Sequence, residues 1–330
     1  MTISPIRCTQ NPTMGEEWRK GWHPEIIPAK TADDTVLVVG SGPAGLECAR
    51  ALGQRGYRVH LAEAGEELGG RVSRESRLPG LAEWARVRDH RLQQIDRMAN
   101  VEIYRASRLG AEDVRELDFP HVVLATGARW RKDGIGRWHG RPVAGFDGAA
   151  VFTPDDIMAG AVPSGGPVVV FDDDHYYMGG VLAERLRRDG LDVTLVTPAE
   201  LASAWTANTL EVRHIQARLL GLGITIHANR TVTAFRGDHV GIACVFTGRK
   251  EEIEARAVVS VTARLPEEGL SSILRAAPGG LKSVHTIGDA YAPGTIAAAV
   301  YAGHEYARGF GAPAPAEVPF RGQLPERVAG

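Results

Sequence analysis

Val36-Leu37-Val38-Val39-Gly40-Ser41-Gly42-Pro43-Ala44-Gly45 is an apolar run of four that meets three glycines at GxGxxG spacing. Residues 44–55 then read as a helix and residues 57–63 as a second strand, the strand, helix, strand order of a parallel unit. In that setting each glycine has a task. Gly40 permits the tight turn, Gly42 lets the backbone approach a pyrophosphate, and Gly45 lets the helix pack on the strand. Free amides at the helix start face the anion. Glu63 closes the second strand, where a carboxylate accepts hydrogen bonds from ribose hydroxyls and repels a ribose 2′-phosphate. The ligand implied is ADP-like, with Pro43, Ala44 and Ala64 beside it. A loop that served only strand–helix packing would not call for Glu63.

The rest of the composition narrows the class. The chain has 330 residues, 44% of them apolar, enough for two packed domains. Lysine and arginine total 38 against 40 acidic residues, a net charge of -2, which gives no reason to expect nucleic acid or an anionic membrane as a partner. Cys8, Cys48 and Cys244 lie far apart and form no CxxC pair, so neither a disulfide framework nor a local dithiol is expected, and a reducing, cytoplasmic setting fits. Cys48 and Cys244 read as core residues. No apolar h-region opens the chain and no run of eighteen apolar residues occurs, so no direct membrane insertion is expected.

Along the chain, residues 1–33 are polar and proline-rich and read as an extended arm. A first domain follows over 34–150, with helical spacing at 81–98 and strands at 101–104 and 121–126. A second strand–helix–strand unit starts at Pro167, and β-rich segments follow to 261. The strand at 284–289 and the alanine-rich helix at 295–308 suit completion of the first domain. The expected fold is therefore α/β, with two three-layer Rossmann-like domains, the second (151–263) inserted in the first (34–150 and 264–312). Residues 313–330 carry Pro313, Pro315, Pro319 and Pro325 and read as an extended tail.

Further motifs point to flavoproteins: Gly69-Gly70-Arg71 shortly after Glu63, Thr126-Gly127-Ala128 at a strand end, and Gly288-Asp289 at another. Together they resemble the glutathione-reductase-like flavoproteins with two dinucleotide domains, in which these three turns surround the cofactor. That likeness makes all eight residues candidate cofactor contacts. The second unit departs from the pattern. In place of glycines it has Asp172-Asp173-Asp174-His175-Tyr176-Tyr177-Met178-Gly179-Gly180. Side chains would occupy the space of a pyrophosphate and three carboxylates would oppose its charge, so this domain reads as a degenerate NAD(P)-binding lobe without tight NAD(P)H binding. The aspartates read as a helix N-cap or a solvated loop, and His175, Tyr176 and Tyr177 as packing and surface residues.

The arm carries a narrower likeness. Arg7-Cys8-Thr9-Gln10-Asn11-Pro12, Gly15-Glu16-Glu17, Gly21-Trp22-His23-Pro24-Glu25 and Thr126-Gly127-Ala128-Arg129-Trp130 are similar to the C-terminal portion of the trimethylamine dehydrogenase family. That family includes dimethylamine, histamine and dimethylglycine dehydrogenases, with 2,4-dienoyl-CoA reductase as a more distant relative. The resemblance implies an N-terminal FMN barrel that oxidises substrate and reduces a 4Fe-4S cluster, followed by domains that hold ADP or FAD. Cys8 matches the family's fourth cluster cysteine, whereas the first three are missing from this sequence. One cysteine cannot hold a cluster that needs four ligands. Either the barrel and three cysteines belong to a partner subunit or they lie in a missing upstream segment. Alternatively, Cys8 is a spare loop thiol.

Three functions follow. The leading expectation is an electron-transfer and assembly module of an iron–sulfur flavoprotein that oxidatively demethylates methylated amines or N-methyl amino acids. Its cofactors would be FAD or ADP here, a 4Fe-4S cluster shared through Cys8, and FMN on the barrel partner. Electrons would leave for electron-transferring flavoprotein or a similar acceptor, and no catalytic residue is expected in this chain. The alternatives are an NAD(P)H-dependent FAD reductase of the dienoyl-CoA reductase type, and a structural subunit that binds ADP without a redox role.

Overall fold

The computed structural model describes residues 7–312. In chain order the first lobe has α1 (Glu17–Lys20), β1 (Thr35–Val39), α2 (Pro43–Arg55), β2 (Arg58–Ala62), α3 (Arg71–Glu75), α4 (Ala85–Ile95), β3 (Val101–Tyr104), α5 (Ala111–Glu116), β4 (His121–Leu124) and β5 (Ala128–Trp130). The second has β6 (Val151–Phe152), α6 (Pro154–Met158), β7 (Pro167–Asp172), α7 (Tyr177–Arg188), β8 (Asp192–Val196), α8 (Val212–Gly221), β9 (Thr225–His227), β10 (Arg230–Phe235), β11 (His239–Cys244), β12 (Lys250–Glu254) and β13 (Ala257–Val261). The chain then returns through β14 (Arg264–Pro266), α9 (Gly269–Ala276), β15 (Ser283–Thr286) and α10 (Ile296–Gly309).

Two parallel sheets organise these elements, with strand orders β15-β4-β1-β2-β3 and β6-β13-β7-β8-β9. Because β15 pairs with β4, the end of the chain completes the first sheet and the second lobe is an insertion. The outgoing and returning passages run side by side as the β5–β14 antiparallel ribbon, with Trp130 opposite Arg264.

The alternation of β1 explains the layering of the first lobe. Val36 and Val38 face the core under α2 and α10, while Leu37 and Val39 face a second core with Val114 of α5 and Leu274 of α9. In the second lobe Val168 and Val170 of β7 pack against α7, whereas Val169 and Phe171 pack against the antiparallel meander β10-β11-β12. One outer layer there is a sheet rather than helices.

Helix α2 is anchored from behind. Glu47 is fully buried and accepts hydrogen bonds from Arg50 (2.5 and 3.0 Å), Arg91 of α4 (2.8 Å) and His304 of α10 (2.8 Å). Burial alone would raise its carboxyl pKa; the fields of Arg50 and Arg91 and the His304 hydrogen bond hold it well below the carboxylate range. Gly303 lets α10 close on α2, since a Cβ there would lie 2.2 Å from the Ala44 carbonyl oxygen.

The arm differs from the expectation of an extended segment. Glu17–Lys20 makes one helical turn, and the arm packs on α10 through Lys20 with Glu305 (2.6 Å) and Trp22 against Tyr301 and His304. The expected tail at 313–330 lies outside the described residues. Among the described residues no helix is long and apolar enough to cross a membrane.

Candidate functional site

The β1–α2 turn builds an anion-sized recess from backbone alone. Gly40 has φ +102°, and a Cβ there would meet the Ala125 carbonyl oxygen at 2.4 Å. A Cβ at Gly45 would lie 1.9 Å from the Gly40 carbonyl oxygen, so the helix start can sit on the strand end only without a side chain. At Gly42 a Cβ would meet nothing within 4 Å, because that position faces open space. The space is a cleft of about 1170 Å³ between the lobes. Gly40, Gly42, Pro43, Ala44, Glu63 and Ala64 line it, whereas Gly45 stands behind as a packing position.

The other three turns converge on the same cleft. Gly70 approaches Gly42 so closely that a Cβ on it would lie 3.1 Å from the Gly42 Cα, and the Gly69 amide donates to the Ser41 carbonyl (3.1 Å). Arg71 donates to the Ala128 carbonyl and to Asp155 (3.3 Å). Thr126 Oγ1 donates to the Glu267 carbonyl (3.0 Å), with Gly127 and Ala128 following it along the cleft wall. Asp289 accepts from the Gly294 amide (2.9 Å) and from Arg264 (2.5 Å). Gly69 and Gly288 do not line the cleft; a Cβ on Gly288 would lie 2.6 Å from the Ala44 Cβ.

Several further residues line the cleft, and all but Trp130, which closes the Thr126–Trp130 segment quoted from sequence, lie outside any motif. Ser107, Arg108 and Leu109 stand at the Glu63 end, brought there because the Ser107 amide donates to the Glu63 carbonyl (2.7 Å). At the far end are Glu75, Trp130 and Arg264. Loss of hydration pushes the buried Glu75 carboxyl up to about 7, against the opposing pull of Arg71 and Arg264. The β5–β14 pairing was the available signal for Trp130 and Arg264, and it needs a register that sequence does not specify.

Two of the three aspartates of the second loop are neither an N-cap nor solvated. Asp172 and Asp173 are fully buried, Asp174 is half-buried on the cleft wall, and the N-cap position before α7 is Tyr176, which makes no side-chain cap. Asp172 accepts from the His175 amide within the loop (3.0 Å), and Asp173 accepts from the Trp138 amide (2.9 Å), which ties the loop to the segment that precedes β6. Gly179 is the third residue of α7, as Gly45 is of α2, and a Cβ on it would lie 2.4 Å from the Asp172 carboxyl carbon; at the N-cap, where α2 has Gly42, α7 has Tyr176, whose side chain stands in the cleft. Burial pushes the Asp172 carboxyl up to about 6. Tyr176 and Tyr177 line the cleft rather than only the outer surface, and Tyr177 meets Trp84 of the first lobe edge-on at 5.3 Å. Cys244, expected in a core, is half-buried, and a hydrogen bond with Thr247 draws its thiol down to about 7. Cys48 is buried as expected.

Residues 34–151 match the pyridine nucleotide-disulphide oxidoreductase family, and residues 152–260 match the OYE-like second alpha/beta domain. Dimethylamine dehydrogenase of Hyphomicrobium sp. (strain x) is 36% identical over 92% of this chain and 45% of its own length. Histamine dehydrogenase from Rhizobium sp. 4-9 superposes with a TM-score of 0.92 at 52% identity, over 96% of this chain and 51% of that one. The chain corresponds to the C-terminal FAD/NAD-binding portion of these amine dehydrogenase-like flavoproteins. A third relative, the 6-hydroxypseudooxynicotine amine oxidase from Pseudomonas geniculata N1, has a TM-score of 0.91 at 47% identity, over 93% of this chain and 46% of that one. The chain thus spans about half the length of the relatives it matches.

In this flavoprotein portion the glycine recess and Glu63 fit the ADP half of a dinucleotide, and the cleft continues past Asp289 to Trp130 and Tyr177. A metal cluster is a different matter. Among the described residues no group of three or more His, Cys, Asp or Glu side chains converges to hold a metal ion. Cys8 is half-buried at the cleft edge beside Thr9 and Met14, where its sulfur accepts from the Gln10 amide (3.4 Å). Of the three cysteines among the described residues only Cys8 borders the cleft, and one thiol does not fit a complete 4Fe-4S cluster.

Proposed function

We propose that this chain is the nucleotide-holding, electron-transfer and assembly module of an iron–sulfur flavoprotein that oxidatively demethylates methylated amines or N-methyl amino acids. The observation that carries the reading is the shared cleft: the glycine recess, Glu63 and Cys8 of the arm all border one space. Relatives named for amine oxidation support the substrate class. The FMN barrel and the remaining cluster cysteines would come from a partner subunit or from upstream sequence. FAD, when bound, would supply two-electron chemistry; ADP in its place would make the lobe a scaffold.

This chain's own residues bind and orient. Gly42 and the α2 amides receive the pyrophosphate, Glu63 takes the ribose, and Arg71 and Asp289 border the cleft beyond it. Trp18 of the arm is 79% exposed and Met14 is exposed beside Cys8, an apolar face suited to a covering barrel. The filled second loop supports an external acceptor such as electron-transferring flavoprotein over NAD(P)H. The test is affinity purification from native cells, followed by intact-mass, flavin and iron analysis. FMN and iron on a longer chain or a co-purifying barrel are expected, with iron lost in Cys8→Ser. The chain alone with nucleotide and no iron would overturn the reading.

A further inference from the structure

Glu63 is not a free carboxylate at the ribose end. Its Oε2 accepts from both the Ser41 amide (2.8 Å) and the Ser41 hydroxyl (2.6 Å), while Oε1 accepts from the Gly65 amide (3.0 Å). A carboxylate offers roughly four acceptor positions, so the protein has filled all but one, and the remaining one is on Oε1. Ser41 itself is fully buried and has no contact with solvent to satisfy it. Its hydroxyl also accepts from the Gly69 amide (3.2 Å), so one side chain ties together the glycine loop, the ribose carboxylate and the Gly69-Gly70 turn. The main chain of Glu63 is held too, by its amide on the Tyr104 carbonyl (2.8 Å) and its carbonyl on the Ser107 amide (2.7 Å).

We propose that Ser41 is the positioning residue of the nucleotide site, saturating Oε2 of Glu63 so that Oε1 receives a single ribose hydroxyl. The inference rests on the reading that the cleft holds an ADP moiety, and it applies equally to ADP and to the ADP half of FAD. Ser41 acts through Glu63, because its hydroxyl is engaged by that carboxylate and by the Gly69 amide. Replacement by alanine keeps the local fold, because the Gly69 amide retains the Ser41 carbonyl at 3.1 Å and the position loses only one oxygen atom. What it removes is one of the two donors on Oε2: the Ser41 and Gly65 amides still hold the carboxylate, and the acceptor position opened on Oε2 lets a second ribose hydroxyl bind there as one does on Oε1.

The test is calorimetric titration of the nucleotide-free protein with ADP, 2′-deoxy-ADP, 3′-deoxy-ADP and 2′,3′-dideoxy-ADP. In the wild type one single-deoxy analogue should bind about tenfold more weakly than ADP, the other nearly as well as ADP, and the dideoxy analogue no worse than the weaker one. In Ser41→Ala the difference between the two single-deoxy analogues should fall below about threefold, with dideoxy-ADP binding both proteins equally. In a Glu63→Ala background, Ser41→Ala should add nothing further. Additive losses for the two hydroxyls in the wild type, or equal weakening of ADP and dideoxy-ADP in Ser41→Ala, would overturn the inference alone. Failure of the wild type to bind any of the four would remove the nucleotide reading and this inference with it.

Discussion

The two lobes repeat one strand–loop–helix unit, β1–α2 and β7–α7, and the loops have opposite interiors. At Gly42, the N-cap of α2, a side chain would find open space; at the N-cap of α7 stands Tyr176, whose own side chain occupies the cleft wall. The first loop leaves room for an anion because glycines build its turn; in the second, buried Asp172 bonds the loop's own His175 amide and buried Asp173 bonds the Trp138 amide of a neighbouring segment. The helices behind differ as well. Glu47 of α2 is sealed among Arg50, Arg91 and His304, whereas Glu184 of α7 meets half-exposed Arg188 and Arg218.

Substitutions can break this contrast, and the largest effect is expected behind the loops. Glu47→Ala leaves two buried guanidinium groups uncompensated and should cost about 3–5 kcal/mol, while Glu184→Ala should cost under about 1 kcal/mol, both read by denaturant unfolding. Equal costs would erase the difference between the helices. Next, Gly42→Val should leave Tm nearly unchanged yet weaken ADP at least about a hundredfold, because the side chain points into the cleft. A large fall in Tm would show instead that Gly42 is a packing position.

A pH effect belongs to the second loop. The Asp172 carboxyl is raised by burial, so the folded protein holds its proton longer than the unfolded chain does. Its contribution to stability is therefore lost as pH rises from near the usual aspartate value to about 6, by on the order of 2 kcal/mol, and is level above that. Asp172→Asn should flatten this fall in melts run from pH 4 to 8; an unchanged slope would remove the buried-plug description. The smallest effect is expected for Tyr177→Phe, which breaks the bonds to Glu211 and Thr209 at the cleft edge. It should change stability by less than about 1 kcal/mol and ADP affinity by under about twofold.

The first lobe was legible because its signals are local. An apolar run, three glycines and Glu63 lie within one strand–helix–strand unit, and backbone geometry does the rest. The insertion was legible too, since a strand ending in Gly288-Asp289 has no place in the second sheet. What escaped was set by register and burial. Ser41 occupies a variable position of the glycine motif, and only its hydrogen bonds reveal a role. Glu47, Arg50 and Arg91 read as charges on amphipathic helices until three helices enclose them. Asp172 and Asp173 read as solvated for the same reason. Trp130 and Arg264 meet across 134 positions of chain (264 less 130), through a ribbon of three pairs that no short motif announces.

The measurement that tests the contrast most directly is the stoichiometry of ADP binding to nucleotide-free protein, by titration calorimetry on wild type and Gly42→Val. One equivalent per chain, abolished in Gly42→Val, is the expected result. Two equivalents, or one that persists in Gly42→Val, would contradict an open first loop beside a plugged second.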